Sequence, residues 1–333
     1  METFRADEAV ELATLDRSGF VESRHLGSLV VLDARGSIAL ELGNPNAPVF
    51  GRSALKPFQA TAIVAALAEC DITLPDELVA IASASHTGTP THARLVTAVL
   101  DSAGLSLDAL RCPADWPGDP KAQDDLIRAG SGKSPLYMNC SGKHAGFLVA
   151  CVAHGWPVES YLDPGHPMQL AVRECVETFT GEPIAWTGVD GCGAPVHALS
   201  LVALARGFRA IALAPHDASA PALSRAAAQV SRAMRAFPAV VDGPGLPDAT
   251  VVEKLGLLVK CGAEGVMVMS APTGETVALK ILDGNLRAAT VVALHALTKV
   301  GAVSLVDFAR LLENLQLDVY GGGRPVGSIH PTF

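Results

Sequence analysis

Short apolar segments gather at both ends of the chain, and longer helical stretches lie between them. Residues 10–16, 29–32 and 37–42 predict strands, and the last two flank Asp33, Ala34, Arg35 and Gly36, a Gly-containing sequence that predicts a hairpin turn. The Ala-rich apolar run 59–70 predicts a helix that begins at Ser53, whose hydroxyl is placed to cap it. Residues 78–84 predict a short strand leading into Ser85, His86, Thr87 and Gly88, and 91–103 a helix stopped at Gly104.

The Pro-, Gly- and Asp-rich segment 112–133 predicts an ordered loop carrying a short helix over 122–129. Ser141 is placed to cap a helix over 142–154, and Pro167 opens another over 167–179. Residues 185–189 predict a strand that runs into Asp190, Gly191, Cys192 and Gly193. Helical periodicity follows over 196–206 and 221–237. Strands are predicted over 257–260, 265–270 and 276–282, with a turn at 272–275, and helices over 286–299 and 304–315. This order predicts an α+β fold, with one antiparallel sheet built from both chain ends packed on a helical cluster. With no repeat, linker or composition break, residues 1–333 are expected to form a single domain.

Composition narrows the function. In a chain of 333 residues, 49% hydrophobic content is ample for a large core, and the scarcity of aromatics (5%) beside abundant Ala suits closely packed helices. The net charge of −9, without any Lys/Arg cluster, argues against nucleic acid or an anionic membrane as partner and favours a small-molecule ligand. Mean hydropathy is high at +0.32, yet no run reaches the roughly 18 apolar residues of a membrane span. Residues 1–8 are mixed in charge and lack an apolar signal core, so a cytoplasmic location is expected. Seven cysteines without repeated short spacing are read as reduced thiols, some of them candidate metal ligands.

Candidate chemistry concentrates in a few places. Ser53 and Lys56 stand three apart at a helix start, which sets a hydroxyl and an amine on one face. A lysine whose pKa is lowered by burial or a nearby cation can serve as base for such a serine. Ser85 lies among small residues where a hydroxyl can face a cleft, and His86 beside it reads first as a turn histidine. Lys280 sits inside an apolar strand, and a buried ammonium there needs a partner; with Ser85 it forms a second candidate Ser and Lys. Cys140, Ser141, Gly142, Lys143 and His144, and Asp190, Gly191 and Cys192, bring thiols, an amine, an imidazole and a carboxylate into glycine-flanked turns. These read as buried cysteines and a helix histidine, or as a metal site for which softness favours zinc.

Taken together, Arg52-Ser53-Ala54-Leu55-Lys56-Pro57, Ala84-Ser85-His86, Asn139-Cys140-Ser141-Gly142-Lys143-His144, Asp163 with His166-Pro167-Met168-Gln169, Asp190-Gly191-Cys192, and Lys280 with Asp283-Gly284-Asn285 resemble the L-asparaginase II family of rhizobial type. The blocks run in order over nearly the whole chain. The resemblance implies a fold similar to serine β-lactamases and glutaminases, and hydrolysis of L-asparagine to L-aspartate and ammonia. It implies Ser53 as nucleophile, Lys56 as its base, and Ser85 with Lys280 as a second pair that relays protons. It further implies Cys140, Lys143 and Cys192 as zinc ligands beside Asp190 and His144, and a homodimer; Arg52, His144 and Asp190 are the candidates for binding substrate. A cysteine associated with some members is missing from the region 240–255. Rival readings are a serine β-lactamase, whose Ser-Asp-Asn and Lys-Thr-Gly elements are absent here, another ω-amide serine hydrolase, and a non-catalytic zinc- or amino-acid-binding protein on the same fold.

Overall fold

Alternation along the strands decides the layering. In the strand that contains residues 29–32, Val30 and Leu32 pack into one hydrophobic cluster and Leu29 and Val31 into another, because successive side chains leave a strand on opposite faces. The sheet is therefore covered on both sides. The structure, a computed structural model, describes residues 2–215 and 218–333.

The chain opens with strands β1 (Val10–Arg17), β2 (Phe20–Leu32), β3 (Ile38–Leu42) and β4 (Pro48–Phe50), then a 3₁₀ turn, Arg52–Leu55, that runs into helix α1 (Lys56–Glu69). The helices α2 (Asp76–Ala82), α3 (Pro90–Asp101), α4 (Pro120–Arg128), α5 (Ser141–His154) and α6 (Pro167–Thr180) follow. Next come β5 (Trp186–Val189), β6 (Pro195–Ser200), α7 (Leu201–Ala212), α8 (Ala222–Ala236), α9 (Pro238–Val241) and α10 (Pro247–Leu255). The strands β7 (Leu258–Gly262), β8 (Val266–Ser270) and β9 (Thr276–Ile281), helices α11 (Ala289–Lys299) and α12 (Leu305–Leu312), and strands β10 (Asp318–Gly321) and β11 (Arg324–Pro331) close the chain.

The main sheet has the order β10-β11-β1-β2-β9-β8-β7, with β3 also paired to β2, and every pairing in it is antiparallel. Both chain ends build it. A small second sheet has the order β4-β6-β5. One face of the main sheet meets α7 and α8, on which α1 and α6 pack and then α5, in one cluster that includes Phe58, Phe147 and Phe208; the other face meets α11 through Val291, Val292 and Leu294.

Four elements differ from the sequence expectation, each for a physical reason. Residues 78–82 belong to α2, where Val79, Ala80, Ile81 and Ala82 are all buried, and Ser83 caps its C-terminal end; a short run of buried residues has no period to tell strand from helix. The segment 196–206 is divided at Ser200, whose hydroxyl caps α7 by accepting from the Ala203 N–H at 2.9 Å and donates to Glu182 at 2.8 Å. Ser53 caps nothing, because the Arg52–Leu55 turn is interposed before α1. Ser141 is the first residue of α5, with Cys140 in the cap position, and its hydroxyl donates to the Leu136 carbonyl at 2.9 Å. Beyond these, α10, β4, β10 and β11 carry no strong signal in the sequence, and Pro325 inside β11 argues against a strand there.

Candidate active site

Lys56 is the centre of the site. It begins α1, its side chain is fully buried, and its Nζ donates to the Ala84 carbonyl, to the Asn139 carbonyl at 3.3 Å and contacts Ser85 Oγ at 3.0 Å. The two carbonyls can only accept, so they use two N–H bonds, and the remaining side of the nitrogen faces the Ser85 hydroxyl and the Cys140 sulfur. Burial lowers the Lys56 pKa against the pull of Cys140, and the Lys260 and Lys143 ammoniums lower it further.

Ser53 lies one turn before Lys56 in the half-buried Arg52–Leu55 turn, and its hydroxyl has no hydrogen-bond partner among the described residues. The turn is pinned at both sides. On one, β7 passes so close that a Cβ on Gly262 would lie 2.7 Å from the Gly51 carbonyl oxygen. On the other, Arg52 holds Asp190 Oδ1 from Nε at 3.0 Å and from a terminal nitrogen at 2.9 Å. Arg52 has φ +47°, a left-handed conformation that costs a non-glycine residue about 1–2 kcal/mol. The ion pair with Asp190 holds the residue in that conformation.

The backbone also positions Ser85, whose N–H donates to the Val241 carbonyl at 2.8 Å. His86 is a satisfied turn histidine: its Nδ1 accepts from the Gly88 N–H at 3.1 Å, which leaves Nε2–H for Ser141 Oγ at 2.9 Å.

The sulfur cluster assembles at the start of α5. The Cys140 and Cys192 sulfurs are in hydrogen-bond contact, Cys140 Sγ lies 3.1 Å from Asn139 Oδ1, and Lys143 Nζ lies 3.4 Å from Cys192 Sγ. The contact with Cys192 holds the Cys140 thiol well below its ordinary pKa and pushes Cys192 up, so one proton stays between them. Burial works against the Lys143 charge, but Cys192, Cys140 and Asp190 raise its pKa overall. His144, buried next in sequence, is kept neutral by burial, which the Lys143 ammonium reinforces, and its Nδ1 lies 2.7 Å from the Tyr161 hydroxyl. Two thiols and an amine converging in this way form a soft donor set that fits zinc with three protein ligands.

Lys280 is the one candidate placed elsewhere. Its Nζ donates to the Glu264 and Ile281 carbonyls, each at 2.7 Å, at the turn between β7 and β8. Strand order explains this: Lys280 is on β9, with β8 between it and β7, the strand that touches the Ser53 turn. Of the two strand lysines, the one whose charge lowers the Lys56 pKa is Lys260 of β7, fully buried, whose own charge burial opposes and Cys261, Asp248, Asp242 and Cys140 support. Its signal in the sequence is the same as that of Lys280, an ammonium within an apolar strand.

The model of the L-asparaginase II family matches residues 13–331. No curated protein matches the chain. Among solved structures, the glutamate form of Mglu superposes with a TM-score of 0.47 at 11% identity, covering 84% of this chain and 61% of that one; this chain thus spans less than two thirds of its length. A β-lactamase from Mycobacterium bovis superposes with a TM-score of 0.45 at 16% identity, over 82% of this chain and 94% of that one. A Bacillus glutaminase gives 0.41 at 10% identity, over 82% and 90%. No helix among the described residues is long and apolar enough to cross a membrane.

Proposed function

Because the chain belongs to the L-asparaginase II family, we propose that it hydrolyses the side-chain amide of L-asparagine to L-aspartate and ammonia through a serine nucleophile. The observation that carries this is the setting of Lys56, a buried amine with two directions fixed by carbonyls and its remaining side facing a serine hydroxyl, one turn from a second serine.

Ser53 Oγ attacks the amide carbon, and its proton passes by way of Ser85 to neutral Lys56. The Ser53 backbone N–H is the donor for the oxyanion. The tetrahedral intermediate collapses with cleavage of the C–N bond, and the proton returns along the same path to the nitrogen, so NH₃ leaves an ester on Ser53. Water, deprotonated by the same relay, attacks the ester carbon; the C–O bond breaks and Ser53 recovers its proton. The Lys260 ammonium keeps Lys56 neutral by repulsion, joined by Lys143 only while that amine is charged and holds no metal.

Asp190, fixed by Arg52, receives the substrate α-ammonium, and His144 donates to the α-carboxylate. Cys140, Cys192 and Lys143 are the residues that would hold zinc, with both thiols deprotonated and the amine neutral. A bound zinc ion would supply a fixed positive charge that orients and polarises the substrate.

The contact between Lys56 and Ser85 favours a second reading, in which Ser85 is the nucleophile and Ser53 the relay. Ammonia release from L-asparagine and L-glutamine, measured for the wild type, Ser53→Ala and Ser85→Ala, separates the two. Asparagine-selective release abolished in Ser53→Ala supports the first. Release by Ser53→Ala at the wild-type rate transfers the nucleophile to Ser85, and release from neither amide by the wild type rejects the asparaginase reading.

A further inference from the structure

A buried hydrogen-bond chain ends on an unpaired ring nitrogen beside the site. The Arg111 backbone N–H donates to Tyr161 Oη at 3.0 Å, and Tyr161 Oη lies 2.7 Å from His144 Nδ1. Both rings are fully buried, and His144 Nε2 has no partner among the described residues. One hydrogen lies between Oη and Nδ1, so two arrangements are open. If Nδ1–H donates to the tyrosine, the Tyr161 O–H hydrogen has no acceptor and Nε2 is an orphan too. If Tyr161 donates to Nδ1, the tyrosine is satisfied and only Nε2–H is unpaired. A cationic ring orphans the tyrosine hydrogen in the same way as the first arrangement.

Unpaired buried polar groups are costly, and the second arrangement has fewest. We propose that Tyr161 is a positioning residue that locks His144 in the Nε2–H tautomer and so keeps one buried donor for the α-carboxylate of an amino-acid ligand. The surrounding fold secures Tyr161 in place. The Gln169 side-chain amide donates to its carbonyl at 2.8 Å, and its ring packs edge-on against His144 with centroids 5.6 Å apart. A donor fixed by a third group needs no reorientation when ligand arrives. The inference rests on the amidohydrolase reading for its ligand class, but the tautomer does not depend on turnover.

Nitrogen-15 NMR of the histidine rings in the full-length protein, with L-aspartate as probe, tests it together with kinetics. The wild type is expected to show His144 protonated at Nε2 and bare at Nδ1, with the Nε2 signal moved by L-aspartate. Tyr161→Phe is expected to raise KM for L-asparagine about tenfold with kcat changed by less than about threefold. In a His144→Gln background, where the amide nitrogen supplies the donor without help from Tyr161, Tyr161→Phe is expected to add nothing. A wild-type ring protonated at Nδ1, an Nε2 signal indifferent to L-aspartate, or an equal KM effect of Tyr161→Phe in both backgrounds overturns the inference. An Nε2-protonated ring that responds to L-aspartate in a protein that releases no ammonia supports it and rejects the asparaginase reading alone.

Discussion

Lys56 Nζ stands 3.0 Å from Ser85 Oγ, although Ser53 is the serine three residues away in sequence. The turn at Arg52–Leu55 leaves the neighbouring serine open, while the remote one is brought to the amine by the backbone bond from Ser85 to Val241. In the proposed role of base, Lys56 has to lose its proton to work. Lys56→Arg is therefore expected to be as inactive as Lys56→Met, each losing about 10²–10⁴-fold in kcat/KM, because a guanidinium stays charged. Ammonia release by Lys56→Arg near the wild-type rate would remove Lys56 from the proton path.

Lys260 and Lys280 make a paired test. Lys260→Met is expected to lower kcat/KM by at least about 10²-fold and to destabilise the fold by about 3 kcal/mol, since it leaves Asp248 and Asp242 buried without their counter-charge. Lys280→Met loses two carbonyl contacts away from Lys56 and is expected to keep kcat/KM within about threefold. Steady-state kinetics with thermal denaturation of both variants decides it, and the opposite ranking would return the role to Lys280.

Gly142 tests the seating of the sulfur cluster. A Cβ there would lie 2.2 Å from the Ile81 carbonyl oxygen of α2, so α5 can approach α2 only through glycine. Gly142→Ala is expected to cost about 2–3 kcal/mol as the helices part, and to depress activity by moving Cys140 and Lys143 on either side. An unchanged melting temperature would contradict this packing.

The Asp242 carboxyl gives a pH signature. Burial, helped by the Asp248 charge, raises its pKa to about 7 from an ordinary 3.8. The folded state therefore holds a proton that the unfolded chain releases. The stability this confers is full below about pH 4 and is lost as pH rises through about 7. Asp242→Asn, neutral throughout, is expected to gain stability relative to wild type between pH 5 and 8, with a slope of at most about 1.4 kcal/mol per pH unit. Urea unfolding across that range measures it; parallel curves would show that Asp242 ionises freely in the fold.

Much of this was legible in the residues. The strands at both ends follow from short aliphatic segments, and the blocks around Ser53 and Ser85, and around Cys140 and Asp190, which the sequence singles out, are in contact in the fold. What local pattern could not supply was strand order. Lys260 and Lys280 look alike in sequence, and only the placement of β8 between their strands separates them. Nor could periodicity resolve α2, whose residues 79–82 are buried without a break, or the joint at Ser200, where a serine both ends a strand and caps a helix. The contact between Tyr161 and His144 ties a candidate residue to an ordinary-looking core position, Tyr161, and nothing in the spacing marks it.

The pairing of β1 with β11, Ala13 opposite Pro331, joins the first and last strands of the chain. During synthesis β1 must wait with one edge unpaired until nearly the whole polypeptide has emerged, a long-range contact of the kind that folds slowly and is exposed to misassociation. In the finished sheet β11 and β7 are separated by β1, β2, β9 and β8, about 24 Å at the usual strand spacing. Completion of the sheet at its β11 side is thus a late event remote from Ser53, and a chain shortened by its last strand would have every group of the catalytic centre and still lack the partner that protects β1.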